Sequence, residues 1–132
     1  MIVVADTSPI NYLVLIGQIE ALPKLYGRVL IPPSVCDELQ RERTPEVVRR
    51  WVTDAPAWLE IVAPKNVLDS ELMQTGLDPG ERDAIELAQE LGADELIIDD
   101  ADGRREARRR RALCRHPRRI AHSRRRRLAG SS

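Results

Sequence analysis

Cysteine is nearly missing from this chain. The two that occur, Cys36 in a predicted helix and Cys114 in an arginine-rich stretch, have no spacing that would make a zinc site or a disulfide framework, so both read as free thiols. Histidine is as scarce, and His116 and His122 both fall in the same arginine-rich stretch, which makes them poor candidates for a general base. No apolar run approaches the roughly 20 residues of a membrane span. Met1 leads straight into Ile2-Val3-Val4-Ala5-Asp6, without the basic stretch of a secretory leader. A cytoplasmic protein is expected. No internal repeat is evident. The 132 residues, 42% of them hydrophobic, suffice for one globular core.

The net charge of zero conceals a divided molecule. Residues 1–103 carry 8 Lys and Arg against 20 Asp and Glu, a net of −12, whereas residues 104–132 carry 13 Arg against Glu106 alone, a net of +12. A basic end of this kind attracts nucleic acid by releasing counterions. The acids of the first part are the more informative feature, because they fall at strand ends and on helices beside apolar stretches.

Ile2-Val3-Val4-Ala5 is wholly apolar and stops at Asp6-Thr7-Ser8-Pro9, as a buried parallel strand running into a helix start does. Ser8 is the expected N-cap and Pro9 the first helical residue. The helix to about Gly17 is apolar nearly all round apart from Asn11, so burial between other elements is expected. A short helix follows over 19–26, a strand over 28–31 stopped by Pro32-Pro33, helices over 34–43 and 45–53, a strand over 59–62 and a helix over 67–75. Asp78-Pro79-Gly80 opens a stronger helix that Gly92 ends after Leu91, and 95–98 reads as a buried strand. Strands alternating with helices predict an α/β fold with a central parallel sheet covered on both faces.

Ligands in such sheets gather outside the carboxyl ends of the strands. Asp6 follows the first strand, and Asp99 with Asp100 follows the last. At 100° per residue, Glu38 flanks the Val35, Cys36, Leu39 stripe while Asp37 points away. On the later helix Glu81 lies in the first turn beside the Ala84, Ile85, Leu87 stripe, and Asp83 sits off it. Each acid alone has a bland explanation: Asp6 capping its helix, Glu81 and Asp83 favoured by the positive helix end, Glu38 solvated, Asp99 and Asp100 in an acidic turn. Together they match what a hard divalent cation needs, oxygen ligands gathered from distant segments. Such an ion supports phosphodiester cleavage without a nucleophilic side chain.

Four pieces of the chain resemble the PIN-domain ribonucleases, in particular the VapC-like toxins of prokaryotic toxin–antitoxin systems. They are Val3-Val4-Ala5-Asp6-Thr7-Ser8-Pro9-Ile10, Ile31 to Leu39 with Glu38, Leu77 to Ala88 with Glu81 and Asp83, and Leu96-Ile97-Ile98-Asp99-Asp100 with Gly103-Arg104 after it. The resemblance covers residues 1–110 and implies a three-layer α/β/α fold. It further implies Mg²⁺ or Mn²⁺ held by acids, an RNA substrate, a cognate antitoxin protein that blocks the site, and a homodimer. Asp6, Glu38, Glu81 or Asp83, and Asp100 or Asp99 take the acidic positions, with Ser8 and Asn11 supporting the first acid.

The likeness stops at the arginine-rich end. Family members continue into a further short apolar strand and a glycine-containing turn and helix, whereas residues 108–127 show no strand or helix periodicity. Residues 111–132 therefore read as a tail, disordered or translated out of frame. Arginine without a single lysine there fits shifted codons of a GC-rich gene better than a genuine RNA-binding arm, and it leaves an inactive, truncated protein as one reading. A non-catalytic α/β cation- or partner-binding regulatory domain is the reading from another class. Against it, no lysine follows the last acidic strand as in receiver-like domains. A haloacid-dehalogenase-type phosphatase would want an acid where Ser8 stands.

Overall fold

The computed structural model describes residues 1–65, 77–98 and 119–121. Five three-residue strands, β1 (Val3–Ala5), β2 (Val29–Ile31), β3 (Leu59–Ile61), β4 (Glu95–Ile97) and β5 (Arg119–Ala121), form one sheet in the order β3-β2-β1-β4-β5. Every pairing is parallel. Five helices are described: α1 (Thr7–Leu15), α2 (Ala21–Tyr26), α3 (Pro33–Leu39), α4 (Glu46–Thr53) and α5 (Pro79–Leu91).

The pleat sorts the core into two layers, because successive strand residues point to opposite faces. Val3, Ala5, Val29, Ile31 and Ile97 pack with Ile10 and Leu13 of α1, Leu22 of α2, Val35 and Leu39 of α3, and Val48 and Val52 of α4. On the other face Val4, Leu30, Leu96 and Ile98 pack with Ala84, Ile85 and Leu87 of α5. The result is the expected three-layer α/β/α sandwich. Full burial of each such aliphatic side chain contributes about 2 kcal/mol.

Local chemistry sets the helix ends. Pro33 stands at N1 of α3, and Pro32 before it is extended (φ −74°, ψ 159°), as a residue preceding proline must be. Asp78 caps α5 by accepting from the Glu81 N–H at 2.9 Å, and Gly92 ends that helix in the left-handed region at φ 58°, where glycine carries no steric penalty.

Three expectations give way. The N-cap of α1 is Asp6, in extended conformation (φ −90°, ψ 174°), and its side chain makes no capping bond. Ser8 is exposed inside the first turn, where Pro9 is tolerated because its missing N–H would have no intrahelical partner anyway. Second, α1 is one-sided: Pro9, Ile10 and Leu13 are buried while Leu15 is 49% exposed. Third, Arg119–Ala121 forms the edge strand β5 inside a stretch without strand periodicity, pairing Leu96 with Ile120. Backbone hydrogen bonds suffice for so short an edge strand. The expected helix over 67–75 lies outside the described residues.

Candidate active site

Asp6 is the first residue past β1, and its N–H still donates to the Ile97 carbonyl at 3.0 Å. The end of β4 therefore runs beside Asp6, at the carboxyl edge of the sheet. Asp6 is 2% exposed. Removing a charge from water is costly, and the Asp6 side chain makes no capping bond to α1.

Glu38 is held from two sides. Thr7 Oγ1 donates to its Oε2 at 2.5 Å, and the Gly80 N–H, 42 residues away in sequence, donates to its Oε1 at 3.2 Å. The present position of the Glu38 carboxylate against α5 depends on the missing side chain at Gly80. A Cβ there would lie 2.5 Å from Glu38 Oε2 and 2.9 Å from both Cδ and Oε1. Such bonds fix the carboxylate's position and rotamer, as charge-assisted hydrogen bonds do. Thr44 secures the same turn of chain by donating from its hydroxyl to the Glu38 carbonyl at 2.8 Å.

An open cleft of about 480 Å³ is lined by Asp6, Thr7, Ser8, Asn11, Glu38, Arg41, Arg43, Thr44, Pro45 and Asp78. The structure thus brings Asp6, Ser8, Asn11 and Glu38 together. Glu81 and Asp83 stand apart from this lining. Glu81 is half-buried in the first turn of α5, and Asp83 accepts from Ser34 Oγ at 2.6 Å, tying α5 to α3, with Arg82 Nε 3.7 Å from its other oxygen. Asp37 is exposed, as its helix angle predicts. Asp99 and Asp100 lie outside the described residues, directly after Ile98 in the chain.

The lining suits a hard cation in kind: Asp6, Ser8, Asn11, Glu38 and Asp78 each offer a side-chain oxygen. Asn11 Oδ1 is buried and has no hydrogen-bond partner among the described residues, an acceptor unused by the protein itself. Among the described residues no three acidic, histidine or cysteine side chains form a metal-holding group, so the described carboxylates alone do not complete a coordination shell.

Thr7, Gly80 and the two arginines were missed by reading acids alone, and Asp78 was read only as the start of a helix. Gly80 carried a signal: a glycine in the first turn of a helix costs about 1 kcal/mol against alanine unless something approaches closely. Thr7 carried none, because its bond to Glu38 exists only once α1 and α3 are packed.

A family model described as PIN domain, DUF3368, matches residues 2–113. No curated protein and no solved structure shows a significant match to the chain.

Proposed function

Because the chain belongs to the PIN-domain family, whose members are generally nucleases, we propose that it is a metal-dependent endoribonuclease. In the same reading it is the toxin of a cytoplasmic toxin–antitoxin system. The observation that supports this best is the pairing, in one cleft, of a buried Asp6 at the end of β1 with a Glu38 carboxylate held from both sides. No helix of the described residues is long and apolar enough to cross a membrane.

Mg²⁺ or Mn²⁺ would be held by Asp6 with Asp99, Asp100 and Glu81, Asp83 being the alternative acid from α5. Ser8 and Asn11 would support Asp6. A divalent cation bound there supplies Lewis acidity toward water and toward the leaving oxygen of a phosphodiester. Glu38, held by the Thr7 hydroxyl and the Gly80 N–H, orients the attacking water. The water oxygen bonds to phosphorus, the bond from phosphorus to the leaving oxygen breaks, and the water's proton passes to solvent or to the leaving group. The cognate antitoxin is expected to cover this cleft, and the active form is expected to be a homodimer.

The test is RNA cleavage by the purified protein with Mg²⁺ or Mn²⁺ and again with EDTA, on single-stranded and structured RNA. Cleavage should need the metal and stop with EDTA. Equal rates in EDTA, from a sample cleared of contaminating nucleases, would overturn the metal mechanism.

A further inference from the structure

The cleft has two cationic residues, Arg41 and Arg43, in a lining that also holds Asp6, Glu38 and Asp78. Both are exposed, and neither makes an ion pair among the described residues, unlike Arg28, Arg50 and Arg82. Their backbone is nonetheless fixed. The Arg41 N–H donates to the Glu38 carbonyl at 3.3 Å, the Thr44 N–H to the Arg41 carbonyl at 2.9 Å, and Arg49 Nε of α4 to the Thr44 carbonyl at 3.0 Å. Glu42 between them is not part of the lining.

A hydrogen-bonded turn thus presents two guanidinium groups beside a set of carboxylates. In a region of net charge −12 over residues 1–103, a phosphodiester chain is repelled unless cations meet it locally. The planar fork of arginine matches two phosphate oxygens. We infer that Arg41 and Arg43 bind backbone phosphates of the nucleic acid flanking the scissile one, and so position the strand over Asp6 and Glu38. This inference rests on the ribonuclease reading above. Arg41 lies three residues beyond Glu38 and is bonded to it through the backbone, so the strand's grip and the orienting carboxylate share one hydrogen-bonded turn of chain.

Binding of a fluorescent single-stranded RNA to full-length Asp6→Asn protein, followed by anisotropy across a NaCl series, separates the grip from the chemistry. Adding Arg41→Gln and Arg43→Gln should weaken binding about tenfold at fixed salt and flatten the log K against log salt slope by about 0.7 for each arginine. The control, Lys24→Gln with Arg28→Gln, removes the same charge near the amino end of β2 and should leave both quantities unchanged. The arginine-rich end is common to all these proteins and cancels in the comparison. In otherwise active protein the arginine pair of substitutions should raise KM with kcat within about twofold.

If the control weakens binding as much, the effect is net charge and the inference is overturned. It is also overturned, with the ribonuclease reading intact, if metal-dependent cleavage persists with KM unchanged in the arginine double variant. If Asp6→Asn protein binds no RNA at any salt and the unsubstituted chain cleaves none, both fail together.

Discussion

Replacing Gly80 with alanine tests the clamp on Glu38 most directly. The added methyl carbon would stand 2.5 Å from Glu38 Oε2, so the carboxylate must retreat by roughly 1 Å to reach ordinary contact distance. It is the far end of a flexible side chain and can do so without moving a helix. The 3.2 Å bond from the Gly80 N–H then passes out of range, a loss of about 1.5 kcal/mol for a bond to a charged acceptor. Alanine in the first turn of α5 returns about 0.5 to 1 kcal/mol of helix preference. The net destabilisation is therefore about 1 kcal/mol or less, a fall in Tm of no more than about 4 °C. Activity should suffer far more, because a reacting group displaced by about 1 Å costs on the order of a hundredfold in rate. Thermal unfolding and single-turnover RNA cleavage on the same preparation give the two numbers. Full cleavage by Gly80→Ala would refute the role of Glu38 at its present position. A Tm loss above about 10 °C would show that the carboxylate cannot yield. Glu38→Asp, one methylene shorter, removes the clash, so its combination with Gly80→Ala should destabilise less than the two changes summed.

Asp6→Asn keeps the shape of a buried side chain but removes the charge a hard cation needs, so Mg²⁺ binding by calorimetry and RNA cleavage should both collapse with the fold intact by circular dichroism. Asp37→Asn, on the exposed face of α3, should change cleavage by less than about twofold, and equal damage from the two would sink the assignment. The Cys36 thiol is pushed up from its usual 9.0 by burial and then by the Asp37 charge. It should alkylate more slowly than the same thiol in denaturant, and stability linked to it should be full below pH 9.0 and fall as the pH rises beyond that. Leu13→Ala at a 1% exposed site should cost about 2 to 5 kcal/mol in denaturant unfolding, read from the fluorescence of Trp51 and Trp58, whose rings lie 5.8 Å apart.

What the sequence made legible is what local pattern controls. The apolar runs before Asp6 and Pro32, and the Asp78 and Gly92 punctuation around α5, locate strands and helix because backbone preference and burial agree there. Asp6 was also legible as a strand-end acid, since strand ends in a parallel sheet are placed by the sheet itself. The cap of α1 was misplaced by two residues because Pro9 fits N3 as well as N1: both positions have N–H groups without an intrahelical partner. Glu38 could be put on a helix flank by angle, but its fixing by Thr7 and Gly80 depends on three elements meeting, which no periodicity encodes. The edge strand Arg119–Ala121 is the clearest case. Periodicity reports where side chains face, whereas β5 is defined by backbone pairing with Glu95, Leu96 and Ile97, so a stretch dominated by arginine hides a strand from any reading of hydrophobic pattern. Without that pairing β4 would present a row of unpaired backbone groups at the sheet edge, and any three residues able to adopt extended backbone can cover it, so β5 needs no apolar side chains to be a strand.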